Sequence, residues 1–141
     1  MRFMLIVKSN KSAEAGNMPS QELMSAMAAY NEELMKARVL VDLSGLRPSS
    51  DGARVQFSGG KRTVIDGPFA ETKELIGGYW IINVKSKEEA VQWALRAPAP
   101  HGEGQDGEIE IRQFFEWEDF ARGEATDRER ALGDELAKKS A

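Results

Sequence analysis

The chain has 141 residues, of which 41% are apolar and 30% are charged, with a net charge of -4 and a pI near 5.2. This length supports one hydrophobic core, and the acidic balance argues against a nucleic-acid-binding surface. The absence of cysteine excludes disulfides and cysteine-ligated metals, and a single histidine excludes a multi-histidine metal site. Because neither a membrane span nor a signal peptide is recognisable, we expect a soluble cytoplasmic domain.

The first part of the chain is typical of a strand, a helix and a second strand. Arg2 to Lys8 is a short apolar run of β-forming residues, and a polar loop over 9–17 follows it. The apolar residues that follow recur with helical spacing, and Ser20 or Asn17 is the candidate N-terminal cap of this helix. The helical stripe comprises Leu23, Met27, Tyr30 and Leu34. Val39 to Leu43 is the second β-like run.

The middle of the chain predicts a hairpin and a third long strand. Arg54 to Phe57 and Arg62 to Ile65 are two weaker strands, and the Gly-Gly between them is typical of a tight turn. A turn rich in Gly and Pro follows the hairpin, and Ala70 to Leu75 is expected to form one helical turn. Tyr79 to Val84 is the next strand.

The last part of the chain predicts a second helix, a strand and a charged tail. Ser86, followed three residues later by Glu89, is a capping box for a helix that runs to about Ala97. We assign its buried stripe to Val91, Ala94 and Leu95. Prolines end this helix, and Glu108 to Phe115 is the last strand. Asp127 to Lys139 is charged and is expected to be a solvated helix or a frayed tail.

The order of these elements predicts an α+β fold, a ferredoxin-like βαββαβ sandwich with an inserted β-hairpin and a helical C-terminal tail. We assign residues 1–121 to the domain and 122–141 to the tail. Both faces of the first and third long strands are apolar, whereas two helices cover only one face. A second copy on the other face predicts a homodimer. The alternative is that the tail folds over this face through Trp117 and Phe120.

The stretch from Val64 to Glu74 is the most distinctive in the chain and reads VIDGPFAETKE. It resembles the DGPF signature of the YCII-related family, and it is followed by LIGGYW. The first strand, the Tyr30-to-Leu46 region and the last strand are also similar to that family. The resemblance covers about residues 1–121 and implies a dimeric α+β barrel. It also suggests an extracytoplasmic-function sigma factor as a candidate partner.

YciI-type relatives carry a histidine on the first helix that is proposed to be catalytic. No histidine lies between Ser20 and Arg38 in this chain. The chain's one histidine, His101, is flanked by proline and glycine, and we expect it to be exposed in a loop without a functional role.

Asp66 is the first candidate catalytic residue. A carboxylate at a strand end beside an apolar dimer cleft would serve as a general base, whereas an aspartate before Gly-Pro is also typical of a turn-holding residue. Glu71 is a candidate second carboxylate, and Lys73 would neutralise an anionic ligand. The alternative for both is a solvated turn.

Three further residues are candidates for ligand binding. Asp42 is a polar residue inside an apolar strand and therefore faces either the cleft or solvent. Arg47, at the end of that strand, would pair with Asp42 or Asp66, or bind a carboxylate. Tyr79 would orient a polar ligand through its hydroxyl, although a core or interface role is the alternative.

The sequence supports two hypotheses of different classes. The first is a cofactor-free enzyme that catalyses proton transfer or hydrolysis on an unknown small molecule near Asp66, since no metal-binding or nucleotide-binding motif is present. The second is a non-catalytic ligand-binding or regulatory dimer, with a sigma factor as one candidate partner.

Overall fold

A computed structural model describes residues 1–140 of the chain. Its main sheet has four antiparallel strands in the order β2-β5-β1-β6. The strands are β1 (Arg2–Lys8), β2 (Leu40–Gly45), β5 (Ile76–Asn83) and β6 (Ile109–Gln113). A second sheet of two strands is the hairpin of β3 (Ala53–Ser58) and β4 (Lys61–Asp66). The α+β class is confirmed, and the arrangement is compatible with a ferredoxin-like sandwich.

The helices are α1 (Lys11–Glu14), α2 (Gln21–Lys36), α3 (Lys87–Arg96) and α4 (Glu124–Ser140). The predicted caps are confirmed, because the Ser20 hydroxyl accepts a hydrogen bond from Leu23 N at 3.1 Å and the Ser86 hydroxyl accepts one from Glu89 N at 3.1 Å. Single helical turns of the 3-10 type lie at Ser49–Asp51, Thr72–Glu74 and Trp117–Asp119.

The core lies between the sheet and the two helices α2 and α3. Its buried members are Phe3, Leu5, Tyr30, Leu34, Trp80, Ile82, Val84, Ala90 and Trp93. Among the described residues no buried side-chain nitrogen or oxygen lacks a hydrogen-bond partner. The Tyr30 hydroxyl donates to the Trp93 carbonyl at 2.6 Å, and the Trp80 indole N–H donates to Asn31 Oδ1 at 2.7 Å. The apolar rings are thus buried without an unsatisfied donor.

Two sequence predictions about secondary structure and packing need correction. The polar loop over 9–17 contains the short helix α1, which Asn10 caps by accepting a hydrogen bond from Ala13 N at 2.8 Å. The inner face of α3 comprises Ala90, Trp93 and Ala94, whereas Leu95 is 73% exposed. The bulk of Trp93 sets the rotation of the helix about its axis, because it is the side chain with the most apolar area to bury.

The outer face of the sheet lies opposite α2 and α3. Met4, Tyr79 and Ile81 point to it, as the register between β1 and β5 shows, and all three are half-buried. The aromatic residues that precede the tail form a cluster, in which the Phe120 ring lies 5.1 Å from Phe115 and 5.8 Å from Trp117. No helix in the described part of the chain has the length and apolarity needed to cross a membrane.

Candidate functional site

A cleft of about 930 Å³ opens at the end of the sheet where β1 ends and β5 begins. Its volume lies within the usual range for small-molecule sites, which is about 300–1,000 Å³. One wall is the segment from Asn10 to Ser20 with the first turn of α2, and the opposite wall is 45–51. The lining also includes Val7, Gly77, Pro100, His101 and Gln105. The lining therefore combines apolar surface with amide, hydroxyl, carboxylate, guanidinium and imidazole groups.

The Asp-Gly-Pro-Phe segment packs against the wall that residues 45–51 form. Gly67 donates its backbone N–H to the Gly52 carbonyl at 3.0 Å. A Cβ atom at Gly67 would lie only 1.8 Å from the Ser49 carbonyl oxygen, so this position has room for glycine alone. The Arg54 guanidinium stacks on the Phe69 ring at 3.8 Å. These contacts fix the segment against Ser49.

Ser49 connects the signature segment to the opposite wall of the cleft. Its backbone N–H donates to Glu14 Oε2 at 2.8 Å, and its hydroxyl donates to the other carboxylate oxygen of Glu14. The same hydroxyl accepts a hydrogen bond from Phe69 N at 3.0 Å. Hydrogen bonds to an ionised carboxylate are about twice as strong as neutral ones. Ser49 thereby joins α1, the 49–51 turn and the loop that contains Phe69.

His101 lies in this cleft, which the sequence analysis did not predict. The ring is half-buried, and Nε2 lies 2.9 Å from the Lys8 carbonyl oxygen. A carbonyl only accepts, so Nε2 carries the proton and Nδ1 of the neutral ring keeps its lone pair. Among the described residues no hydrogen bond to Nδ1 is found. The expectation of an exposed loop histidine is wrong, because the end of β1 binds the ring.

Lys8 has a second role through its side chain. Its ammonium group lies 3.3 Å from Glu110 Oε1, and Arg112 approaches the same carboxylate at 3.4 Å. The hydrogen bond from Lys8, followed by that from Arg112, lowers the pKa of Glu110 below its usual range. Glu110 thus restrains Lys8, the last residue of β1, whose backbone carbonyl binds His101.

Replacing Glu110 by glutamine is expected to make folding stability less sensitive to acid. A lowered pKa in the folded state gives stability that is complete above the unfolded-state pKa and is lost as the pH falls through the folded-state pKa. Urea unfolding at about pH 6 and about pH 3 measures this loss. The wild type should lose more stability than Glu110→Gln, and a Glu108→Gln control should behave as the wild type. Equal losses in all three proteins would contradict the prediction.

The structure places Asp66, Glu71 and Lys73 on the surface, outside the lining of the cleft. Asp66 ends β4 opposite Ala53, and its carboxylate forms no side-chain hydrogen bond within the described residues. Glu71 precedes the turn Thr72–Glu74, where its carbonyl accepts from Glu74 N at 2.9 Å. A role for Asp66 as a base requires a second copy to complete its site, and it stays a prediction.

The structure brings Asp42 and Tyr79 together. The Tyr79 hydroxyl donates to Asp42 Oδ2 at 3.4 Å across neighbouring strands, and Asp42 Oδ1 accepts from Leu43 N at 2.8 Å. Arg47 is the one predicted residue that lines the cleft. Its Nε donates to Asp51 Oδ2 at 2.9 Å, so its partner is neither Asp42 nor Asp66.

Sequence reasoning missed Glu14, Ser49 and His101. No motif connects them, because they are 35 and 52 residues apart along the chain. The one usable signal for His101 was its position after Pro98 and Pro100, since prolines reduce the freedom of a loop. Their convergence depends on contacts between the ends of distant strands.

The fold and the cleft define a small antiparallel α+β protein with a cavity of small-molecule size at one end of its sheet. A family model for the YCII-related domain matches residues 1–118, and the chain belongs to this family. The chain is also similar to R00369, an uncharacterised protein of Rhizobium meliloti (strain 1021), with 34% identity over 74 residues. That alignment covers 52% of this chain and 60% of the relative, which is less than two thirds of its length.

Proposed function

We propose that this YCII-related protein is a cofactor-free enzyme that transfers a proton within a small carbonyl or carboxylate compound bound in the cleft. The observation that carries the proposal is His101, whose Nε2–H is bound by the Lys8 carbonyl in a cleft of ligand size. Imidazole is the side chain most often used as an acid or base near neutral pH. The candidate base thereby moves from Asp66 to His101.

Arg47 supports a ligand with an oxygen acceptor. Its side chain is 85% exposed, and its ion pair with Asp51 uses Nε, so the two terminal amino groups of the guanidinium bind no other group among the described residues. A planar guanidinium with free terminal groups binds a carbonyl or carboxylate oxygen well. Polar groups from Asn17 and Gln105 line the same cleft and are suited to hydroxyl or amide groups of the ligand.

The proposed reaction needs no co-reactant. The Nδ1 lone pair of His101 accepts a proton from a carbon or heteroatom next to the ligand's carbonyl, and the Arg47 guanidinium stabilises the negative charge that develops on oxygen. The protonated ring then returns the proton to a second position of the same molecule. Atoms and electrons balance, and the product is an isomer of the substrate.

The proposal includes a homodimer formed through the outer face of the sheet. Met4, Tyr79 and Ile81 on this face are half-buried, and the helices α2 and α3 occupy the other face. A second sheet is the simplest cover for an apolar sheet face of this kind. The dimer would also place Asp42 and Tyr79 beside the second copy.

The test begins with a thermal-shift screen of purified protein against a library of small carbonyl and carboxylate metabolites, followed by NMR detection of isomerisation for each hit. A ligand raises the melting temperature through its preference for the folded state. His101→Gln is the main variant, because the glutamine amide can still donate to the Lys8 carbonyl but cannot act as a base. We expect it to retain binding and to lose about 100-fold or more in turnover.

Asp66→Asn and Arg47→Lys are the matched variants. Asp66→Asn should leave turnover unchanged, whereas Arg47→Lys should weaken binding because an ammonium group lacks the guanidinium's planar donors. Turnover that is lost in Asp66→Asn and kept in His101→Gln would assign the base to Asp66 instead. Binding of hits without any turnover would support the non-catalytic alternative, including a regulatory dimer.

A further inference from the structure

The hairpin of β3 and β4, residues 53–66, extends from the body of the protein, and we call it the arm. Every one of its residues is exposed. Val55 pairs with Val64 and Phe57 pairs with Arg62, so these side chains share one face of the arm. This face is apolar and exposed, with 54% of Val55, 67% of Phe57 and 67% of Val64 accessible to solvent. An isolated two-stranded hairpin is marginally stable in water, and an exposed apolar strand pair promotes association.

The arm nevertheless has a regular turn and a base that is bonded to the body. Gly59 and Gly60 form its two-residue turn with φ angles of 56° and 77°, the left-handed pair that a twisted hairpin favours. Its base is joined to the body by the hydrogen bond from Gly67 N to the Gly52 carbonyl and by the stacking of Arg54 on Phe69. The body therefore fixes the direction in which the apolar face is presented.

The charge of the arm is opposite to that of the remaining chain. Arg54, Lys61 and Arg62 outweigh Asp66, which gives the arm a net charge of +2. The other residues include 16 basic and 22 acidic side chains, a net charge of -6. The Arg62 guanidinium lies over the Phe57 ring at 4.9 Å, which places positive charge beside the apolar surface. A partner that matches the arm is apolar and acidic.

We propose that the arm docks on a second copy of this chain, so that each arm of a two-fold dimer contacts the body of the other subunit. The acidic body of the same protein supplies the opposite charge. The edge strand β2 offers exposed apolar side chains, Val41 and Leu43. Two-fold symmetry uses the contact twice, which doubles the area buried by one arm. The inference rests on the homodimer of the proposed function and adds its second contact.

The experiment is sedimentation equilibrium of the full chain in five forms, which are the wild type, two arm variants, one control on α3 and the outer-face variant Ile81→Lys. The arm variants are Phe57→Ser/Val64→Ser and, with less risk to the hairpin, Arg62→Glu. Leu95→Ser is the matched control, because Leu95 is an equally exposed apolar residue on α3. We expect a wild-type dimer, a dimer Kd at least about tenfold higher in both arm variants, and an unchanged Kd in the control. Circular dichroism and urea unfolding confirm that each variant is folded.

The outcomes separate the arm from the dimer itself. A wild-type monomer at all concentrations would overturn both the homodimer and the docking of the arm. A wild-type dimer whose Kd is unchanged in both arm variants, but raised by Ile81→Lys on the outer face, would overturn the arm contact and leave the homodimer intact. The inference is supported if the arm variants raise the dimer Kd. It is also supported if added salt raises the Kd of the wild type more than the Kd of the arm variants.

Discussion

Replacing Gly67 by alanine is expected to destabilise the protein by about 3 kcal/mol or more, the largest effect of any single methyl addition that we foresee. The new Cβ would lie 1.8 Å from the Ser49 carbonyl oxygen and 2.6 Å from its carbonyl carbon, and these backbone atoms cannot rotate away as a side chain can. Urea unfolding of the wild type and Gly67→Ala measures the difference in the free energy of unfolding.

Gly52→Ala is the control for this variant. Gly52 lies beside Gly67 and accepts its backbone N–H at 3.0 Å, but a Cβ added at Gly52 would be 3.5 Å from the Ser49 carbonyl oxygen, an ordinary van der Waals distance. Its stability should stay within about 1 kcal/mol of the wild type. If Gly67→Ala were as stable as Gly52→Ala, the signature segment would not be packed against Ser49, and its part in building the cleft would be wrong.

The second large effect is a loss of folding stability in alkaline solution caused by Tyr30. Burial raises the pKa of Tyr30 to about 12, with a smaller increase from Glu33 and an opposing decrease from Arg96. Below about pH 10 the hydroxyl is protonated in both the folded and unfolded states, so the stability is complete. Between about pH 10 and pH 12 the unfolded state ionises first, and the wild type should lose about 3 kcal/mol.

Tyr30→Phe isolates this effect from the other alkaline titrations. At neutral pH the variant should be less stable by about 1–2 kcal/mol, because the 2.6 Å hydrogen bond to the Trp93 carbonyl is lost. As the pH rises this difference should shrink and then change sign, since phenylalanine does not ionise and the wild type's expected loss exceeds its advantage at neutral pH. Urea unfolding at several pH values checks this, with Tyr79→Phe as the control for the other tyrosine. A difference between wild type and Tyr30→Phe that is constant with pH would contradict the prediction.

The cleft changes the interpretation of the signature motif. Asp66 drew attention as the one ionisable residue of Asp-Gly-Pro-Phe, yet its carboxylate is exposed and Gly67 and Phe69 make the contacts that matter to the cleft. The motif thus supports a wall through Ser49 and Glu14. Gly67 and the backbone N–H of Phe69 perform this role, and neither is a catalytic side chain.

Local sequence patterns predict the strands, the main helices, the hairpin and the family, because these features depend on the spacing of apolar residues, on helix caps and on turn residues. Ser20, Ser86 and the Gly59-Gly60 turn were predictable for this reason. The buried face of α3 was not, since Trp93 and Leu95 are both apolar and only the packed sheet decides which is covered.

The position of the candidate site depends on contacts between residues far apart in the chain. Lys8 and His101 are 93 residues apart, and Glu14 and Ser49 are 35 apart, so no local pattern relates them. Each pair forms because antiparallel strands bring distant loops to one end of the sheet, where a half-buried backbone carbonyl or carboxylate meets a donor. The sequence carries the donors and acceptors, and the register of the strands selects which of them meet.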